Sequence, residues 1–231
     1  MMEETRRCLR ELVVFSKLEW DEVKLICERA SEKRYYKGEV IFFEDNNAEN
    51  LYILVEGRVK LTMLSPAGKE KVINILQEGD ILGEMSLFDQ DTHTITAEVV
   101  DEARLVILSF EDLKNIISKK PGVAVKIIEA MAKKTRLLTS QIRELVFQDA
   151  EGRMASLLTR FVEDFGVDVK SGKMIDLVLT HQEIANLMGS SRVTVTKLIN
   201  QFIDEGIIKI YKRKIVITAQ EKLEEKLGKF I

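Results

Sequence analysis

Residues Leu179–Gly206 read LTHQEIANLMGSSRVTVTKLINQFIDEG, and the fold of the C-terminal part turns on their spacing. Thr180 precedes an apolar run and Glu183 follows three residues later, the capping-box pattern of a helix start. Ile184, Ala185, Leu187 and Met188 supply a buried face. Gly189 stands where a chain leaving a helix needs a left-handed residue. Ser190 or Ser191 caps the next helix. Along that helix Val195, Leu198, Ile199 and Phe202 fall at i, i+3, i+4 and i+7, one apolar stripe. Arg192, Val193, Thr196 and Lys197 lie off the stripe near the N-terminus. This is the layout of a helix-turn-helix, whose second helix is free to enter a major groove.

An ordinary helical hairpin is the competing reading, and the residues beyond Gly206 argue against it. Ile207–Tyr211 and Lys214–Thr218 read as two short strands around Lys212-Arg213, a wing. From Thr180 to Lys214 there are six bases (Arg192, Lys197, Lys209, Lys212, Arg213, Lys214) against three acids (Glu183, Asp204, Glu205), a net +3. The whole chain carries −3, so the positive charge is local, as a phosphate-binding surface requires.

The 231 residues are enough for one or two domains with a sizeable core. No apolar run approaches the roughly 18 residues of a membrane span. The start, MMEETRRCLRE, is charged and lacks a signal-peptide core, so a cytoplasmic protein is expected. Cys8 and Cys27 form neither a metal spacing nor a disulfide framework, and His93 and His181 lie far apart. There is no nucleophile–base arrangement and no Walker loop. The expectation is a non-enzyme with no metal site and no cofactor.

Upstream, residues 3–31 look helical. Leu9, Leu12, Val13 and Phe15 lead to a break at Ser16-Lys17, and Val23, Leu25, Ile26 and Ala30 form a second amphipathic piece. From Tyr35 to about Phe110 short β-rich runs (EVIFFE, NLYILVEG, RVKLTMLS, KVINILQEG, TITAEVV, ARLVILS) are punctuated by Gly38, Gly57, Gly68, Gly79 and Gly83. That spacing indicates an antiparallel jelly roll with Pro66-Ala67-Gly68 at a hairpin tip. Helical texture resumes at Phe110, and Pro121 opens a long helix. Ile128, Met131, Thr135, Leu138, Ile142 and Leu145 recur at steps of three and four, a heptad seam that favours a parallel pairing of two copies over packing of the stripe on its own domain. The helix breaks near Phe147-Gln148-Asp149, Asp149 caps the next, Gly166–Lys173 reads as a loop and Ile175–Leu179 as a short strand. Glu221–Ile231 is a charged helix or a frayed tail.

This order, with GEMSLFDQDTHTITAEVV at 83–100 and HQEIANLMGSSRVTVTKLI at 181–199, resembles the Crp/Fnr superfamily, the bacterial regulators related to the cyclic-AMP receptor protein. The likeness runs from about Phe15 to Ile217. It implies an α+β chain in three parts: an effector-type, cyclic-nucleotide-binding-like β-roll domain (1–118), a long dimerisation helix and hinge (119–148), and a winged helix-turn-helix (149–231). It also implies a homodimer on a palindromic promoter site of double-stranded DNA that contacts RNA polymerase, with activation the commoner mode. On that reading Arg192 meets a guanine edge, Lys197 a neighbouring base or phosphate, and Val193 and Thr196 a thymine methyl, with Thr194 beside them. Thr180, His181, Gln182, Ser191 and Lys212, Arg213 and Lys214 position the backbone. Many relatives carry Glu where Val193 stands, so a half-site other than TGTGA is expected.

The family's phosphate cassette maps onto Gly83, Glu84 and Ser86, with Glu84 on a ribose hydroxyl. Its anion-pairing Arg falls on His93 or Thr94, and a neutral imidazole cannot replace a guanidinium fork. The adenine-facing positions fall on Lys134, Leu138 and Thr139. Cyclic AMP is therefore disfavoured. An iron–sulfur cluster of the fumarate-nitrate type needs four cysteines, and the chain has two. The RVTVTK segment is similar to that of nitrogen-control regulators. A different small-molecule effector and a constitutively active dimer both stay open. So do the alternatives of a cyclic-nucleotide-responsive regulator and a ligand-binding subunit that recognises protein instead of DNA.

Overall fold

The computed structural model describes residues 19–227, which form two compact units parting between Leu137 and Leu138. The readings for Leu9, Leu12, Val13, Phe15, Ser16-Lys17 and Cys8 lie outside the described residues. No helix among the described residues is long and apolar enough to cross a membrane.

The first unit begins with α1 (Trp20–Arg29), which buries Val23, Ile26 and Cys27. Its strands are β1 (Ser31–Tyr35), β2 (Val40–Phe42), β3 (Asn50–Leu64), β4 (Glu70–Leu76), β5 (Ile81–Leu82) and β6 (Thr96–Ser109). They join as one antiparallel sheet, β1-β6-β3-β4, with β2 on β6 and β5 on β3. The expected tip is present, Gly68 N–H donating to Ser65 O at 2.8 Å.

Two expected breaks are absent. NLYILVEG and RVKLTMLS are a single strand, β3, and TITAEVV and ARLVILS are a single strand, β6. Gly57 is not a turn. It lies in a stretch of shifted register between β3 and β6, and a Cβ there would meet Glu102 O at 2.2 Å. A bulge reverses which face each side chain takes. Before it Leu51, Ile53 and Val55 join the core with α1, while Tyr52 and Leu54 face the other. After it the odd residues Val59 and Leu61 join that second core instead. β1 also escapes the sequence reading. It is an edge strand, largely exposed, so SEKRY carries no apolar alternation.

A short helix α2 (Glu84–Asp89) follows β5. α3 (Phe110–Lys119) starts at a Ser109 cap that accepts from Asp112 N–H at 3.1 Å. The long helix α4 runs Pro121–Phe147, as the proline position predicts.

In the second unit α5 (Ala150–Phe165) starts at the expected Asp149 cap, which accepts from Gly152 N–H at 2.9 Å. Gly166–Lys173 is not a loop. β7 (Gly166–Val169) and β8 (Gly172–Ile175) form a hairpin, and the expected strand over Ile175–Leu179 is irregular beyond Ile175. The hairpin is polar because it is mostly exposed. It forms because β8 completes its ladder on β10 (Lys214–Ile217), Met174 opposite Val216. Gly172 lets it do so, since a Cβ there would lie 1.9 Å from Ile217 O. β9 (Ile208–Tyr211) finishes the sheet β7-β8-β10-β9. The two helices of the capped pair are α6 (His181–Met188) and α7 (Arg192–Asp204), and α8 (Gln220–Glu225) buries Leu223.

Candidate functional site

The helix pair is built as its spacing predicts. Glu183 N–H donates to Thr180 Oγ1 at 3.2 Å and Thr180 N–H to Glu183 Oε2 at 2.6 Å. Gly189 ends α6 at φ 64°. Of the two candidate caps for α7 the chain uses Ser191, whose Oγ accepts from Thr194 N–H at 3.0 Å and lies 2.9 Å from Thr194 Oγ1. Val195, Leu198, Ile199 and Phe202 are buried, which leaves Arg192, Val193 and Lys197 exposed on the other side.

One bond between the helices was not legible from spacing. His181 Nδ1 sits 2.8 Å from Thr196 Oγ1, which itself donates to Arg192 O at 2.9 Å. A hydroxyl has a single proton. That proton goes to Arg192 O, so His181 Nδ1–H is the donor to Thr196. The bond ties the first turn of α6 to the first turns of α7, the part that carries Arg192. Gln182 stays at the exposed surface, its Nε2 donating to Asn186 Oδ1 at 2.8 Å.

The wing tip is unusual in its backbone. Lys212 and Arg213 have φ of 47° and 66°, and Tyr211 pairs with Lys214 across them. A two-residue hairpin turn with both residues left-handed favours Asn-Gly. Here the chain spends that strained position on two long cations, both exposed. Lys214, read with them as a backbone contact, instead forms an ion pair with Asp176.

The nucleotide-type cassette is also formed, with an occupant of its own. Gly83 has φ 86°, and a Cβ on it would lie 2.7 Å from Asn50 O. Glu84 and Ser86 are buried. Lys134 of α4 donates to Glu84 Oε1 at 2.7 Å and to Ile81 O at 2.6 Å. His93 is 3 % exposed and stacks on Phe42 at 3.8 Å. Burial pushes its imidazole below the usual histidine range, against the pull of the Glu84 charge. Thr94 is exposed. No Lys or Arg occurs between Lys71 and Arg104, whereas Glu78, Asp80, Glu84, Asp89, Asp91, Glu98, Asp101 and Glu102 do. Arg104 is held by Glu32 and Glu56. These residues do not fit a cyclic phosphate: the segment offers it no cation, and the carboxylate suited to a ribose hydroxyl is already paired. Of the three helix positions expected at the pocket, the structure brings Lys134 to the cassette, facing Glu84. Leu138 and Thr139 belong to the second unit.

On the seam, Ile128, Ile142 and Leu145 are 63 %, 62 % and 49 % exposed. Met131 packs partly on its own domain core, and Leu138 is half-buried. Thr135 turns its hydroxyl to Met131 O at 2.9 Å, which suits it to an apolar row.

Two family models match the chain, a cyclic nucleotide-binding domain over residues 32–120 and a Crp-like helix-turn-helix domain over 152–226. The global nitrogen regulator of Synechocystis sp. is 31 % identical over 78 % of this chain and 81 % of that protein. The chain belongs to the Crp/Fnr superfamily of transcription regulators. Among other members, a CRP-like cAMP-activated global transcriptional regulator of Mycobacterium tuberculosis is 28 % identical over 91 % of this chain and 94 % of its own. A CooA mutant from Carboxydothermus hydrogenoformans shares the Crp/Fnr fold at a TM-score of 0.74 and 28 % identity, covering 87 % of this chain and 89 % of that one. The superfamily is one of DNA-binding regulators, and the pair α6–α7 lies within the matched Crp-like helix-turn-helix domain.

Proposed function

We propose that the chain works as a cytoplasmic homodimer on a palindromic promoter site, reads it through Arg192 and Lys197, and does so without cyclic AMP. The observation that carries the DNA reading is the first turn of α7. Arg192 and Lys197 project from a helix start fixed by the Ser191 cap and by the His181–Thr196 bond. A guanidinium so placed suits bidentate pairing to a guanine edge, worth about 1–3 kcal/mol of discrimination. Val193 and the Thr196 methyl suit a thymine methyl, and Thr180, Gln182, Lys212 and Arg213 suit phosphates. The exposed row Ile128, Ile142 and Leu145 is the apolar surface on which a second copy pairs. Two-fold symmetry then places the half-sites one helical turn apart. Activation through RNA polymerase is the accompanying proposal.

The cassette reading rests on Lys134. A cyclic nucleotide would have to displace an ion pair at a buried carboxylate and bring its own phosphate to a segment without cations. The regulator is therefore either constitutive or tuned by a ligand of other chemistry. Selection of bound sequences from a random library, followed by gel shift, tests the whole reading. A palindrome should emerge, and Arg192→Ala should lose its base preference by about 5- to 150-fold while keeping weak nonspecific binding. An unchanged preference in that variant would refute the assignment. Cyclic AMP should leave operator affinity unchanged.

A further inference from the structure

The end of α4 is stitched to the reading head across the break at Gln148-Asp149. Glu144 is 9 % exposed and accepts from Arg160 Nη1 at 3.0 Å and from Ser140 Oγ at 3.3 Å. Just past the helix, Gln148 is bound at four atoms, its N–H donating to Glu144 O at 3.1 Å. Its carbonyl accepts from Arg153 Nη1 at 2.8 Å, its Oε1 from Ser156 Oγ at 3.0 Å, and its Nε2 donates to Leu227 O at 2.9 Å. Arg153 Nε also reaches Met188 O at 3.2 Å, a carbonyl in the last turn of α6 that the helix itself leaves unpaired. One guanidinium thus holds both the linker and the helix-turn-helix. Leu145 lies against the turn, a Cβ on Gly189 being 3.4 Å from its Cδ2. A helix break normally permits rotation, and here the polar groups of Glu144 and Gln148 around it are engaged. The stretch from Leu138 accordingly belongs to the compact unit of the reading helices.

We propose that the Glu144–Arg160 pair and Arg153 are positioning residues for DNA recognition. They fix the angle between the seam residues Ile142 and Leu145 and the recognition helix, and so set the half-site spacing that the dimer accepts. This rests on the homodimer reading. The pair's side chains are 11 % and 18 % exposed, so salt screens it little. Each base pair inserted between half-sites shifts the second by about 3.4 Å and turns it by about 35°. A stiff latch cannot follow that rotation, and a loosened one can.

The test uses the full chain and a selected palindrome whose spacer is shortened or lengthened by one base pair. Wild type should lose about tenfold in affinity for each such change, and Glu144→Gln or Arg160→Gln only about threefold. The base preference set by Arg192 and the dimer mass should stay as in wild type. Exchanging the charges, Glu144→Arg with Arg160→Glu, should restore the sharp preference, which a merely destabilised fold would not recover. Single variants as spacing-selective as wild type overturn the latch and leave the homodimer standing. A wild-type dimer that shows no spacing preference likewise overturns the latch alone, whereas a wild-type protein that binds as a monomer overturns the homodimer reading and this proposal with it.

Discussion

Replacing Lys212-Arg213 by Asn-Gly should make the protein more stable and a poorer DNA binder at once. Both residues sit in the left-handed region, at φ 47° and 66°. Such a conformation costs roughly 1–2 kcal/mol for a residue with an ordinary side chain. Asn and Gly adopt it readily, although Gly gives back about 0.5–1 kcal/mol through the entropy of the unfolded chain. The net gain should be about 1 kcal/mol, readable as a shift of the urea midpoint at constant slope. The same change removes two exposed cations per protomer, four per dimer. Lys214 is left out of that count because Asp176 holds it. If each wing cation sits on a phosphate, the salt slope falls by about 0.9 per contact, or roughly 3.6 in all. Between 50 and 200 mM salt, wild type should then lose about 150-fold more affinity than the variant. Fluorescence anisotropy on one palindrome over a salt series measures this. A slope that stays the same refutes the wing as a phosphate clamp. A midpoint that fails to rise refutes the strain argument.

Other outcomes concern the cassette and two glycines. His93 has a folded pKa below its unfolded value of about 6.5. The unfolded chain therefore binds more protons as pH falls below about 6.5, and stability declines through the folded value, by at most about 1.4 kcal/mol per pH unit. His93→Phe should flatten that limb in unfolding curves at pH 7.5 and 5.5, and parallel profiles would count against it. Lys134→Met strands the Glu84 carboxylate in a buried site and should cost about 3–5 kcal/mol, whereas Lys134→Met with Glu84→Gln should recover most of it. Equal losses in the two proteins would mean that the pair is not what matters there. Gly172→Ala drives a Cβ against Ile217 O and should cost more than about 2 kcal/mol. Gly68→Ala, also at positive φ but with open space around it, should cost about 1 kcal/mol. Similar values for the two would remove the close-approach argument.

What the sequence makes visible is what local physics decides. The caps at Thr180, Ser191 and Asp149, the Gly189 turn and the apolar stripe of α7 each depend on residues within one or two helical turns, and all are found. What escapes depends on partners far along the chain. Gly57 looks like a turn because glycine between two β-rich runs usually is one. Only the approach of Glu102 across the sheet shows that it lets one continuous strand bulge. The β7–β8 hairpin looks like a loop because its residues are polar and exposed, and its ladder is completed by β10.

The same division runs through the functional residues, and it bears on mechanism. Arg192 and Lys197 could be named from sequence because they lie off a visible stripe, and the wing cations because they fall between two short β-rich runs. The contacts that hold the cassette and the helix pair in place are all long-range pairs: Lys134 on Glu84 across 50 residues, Arg160 on Glu144 across 16, His181 on Thr196 across 15. No periodicity marks such pairs, because a lysine on a helix reads as surface until its carboxylate is known. No arginine follows Gly83 before Arg104, and the cation that Glu84 pairs with is Lys134. A buried carboxylate needs a cation. The structure supplies one from the long helix, so Lys134 joins helix and roll at Glu84 and at Ile81 O.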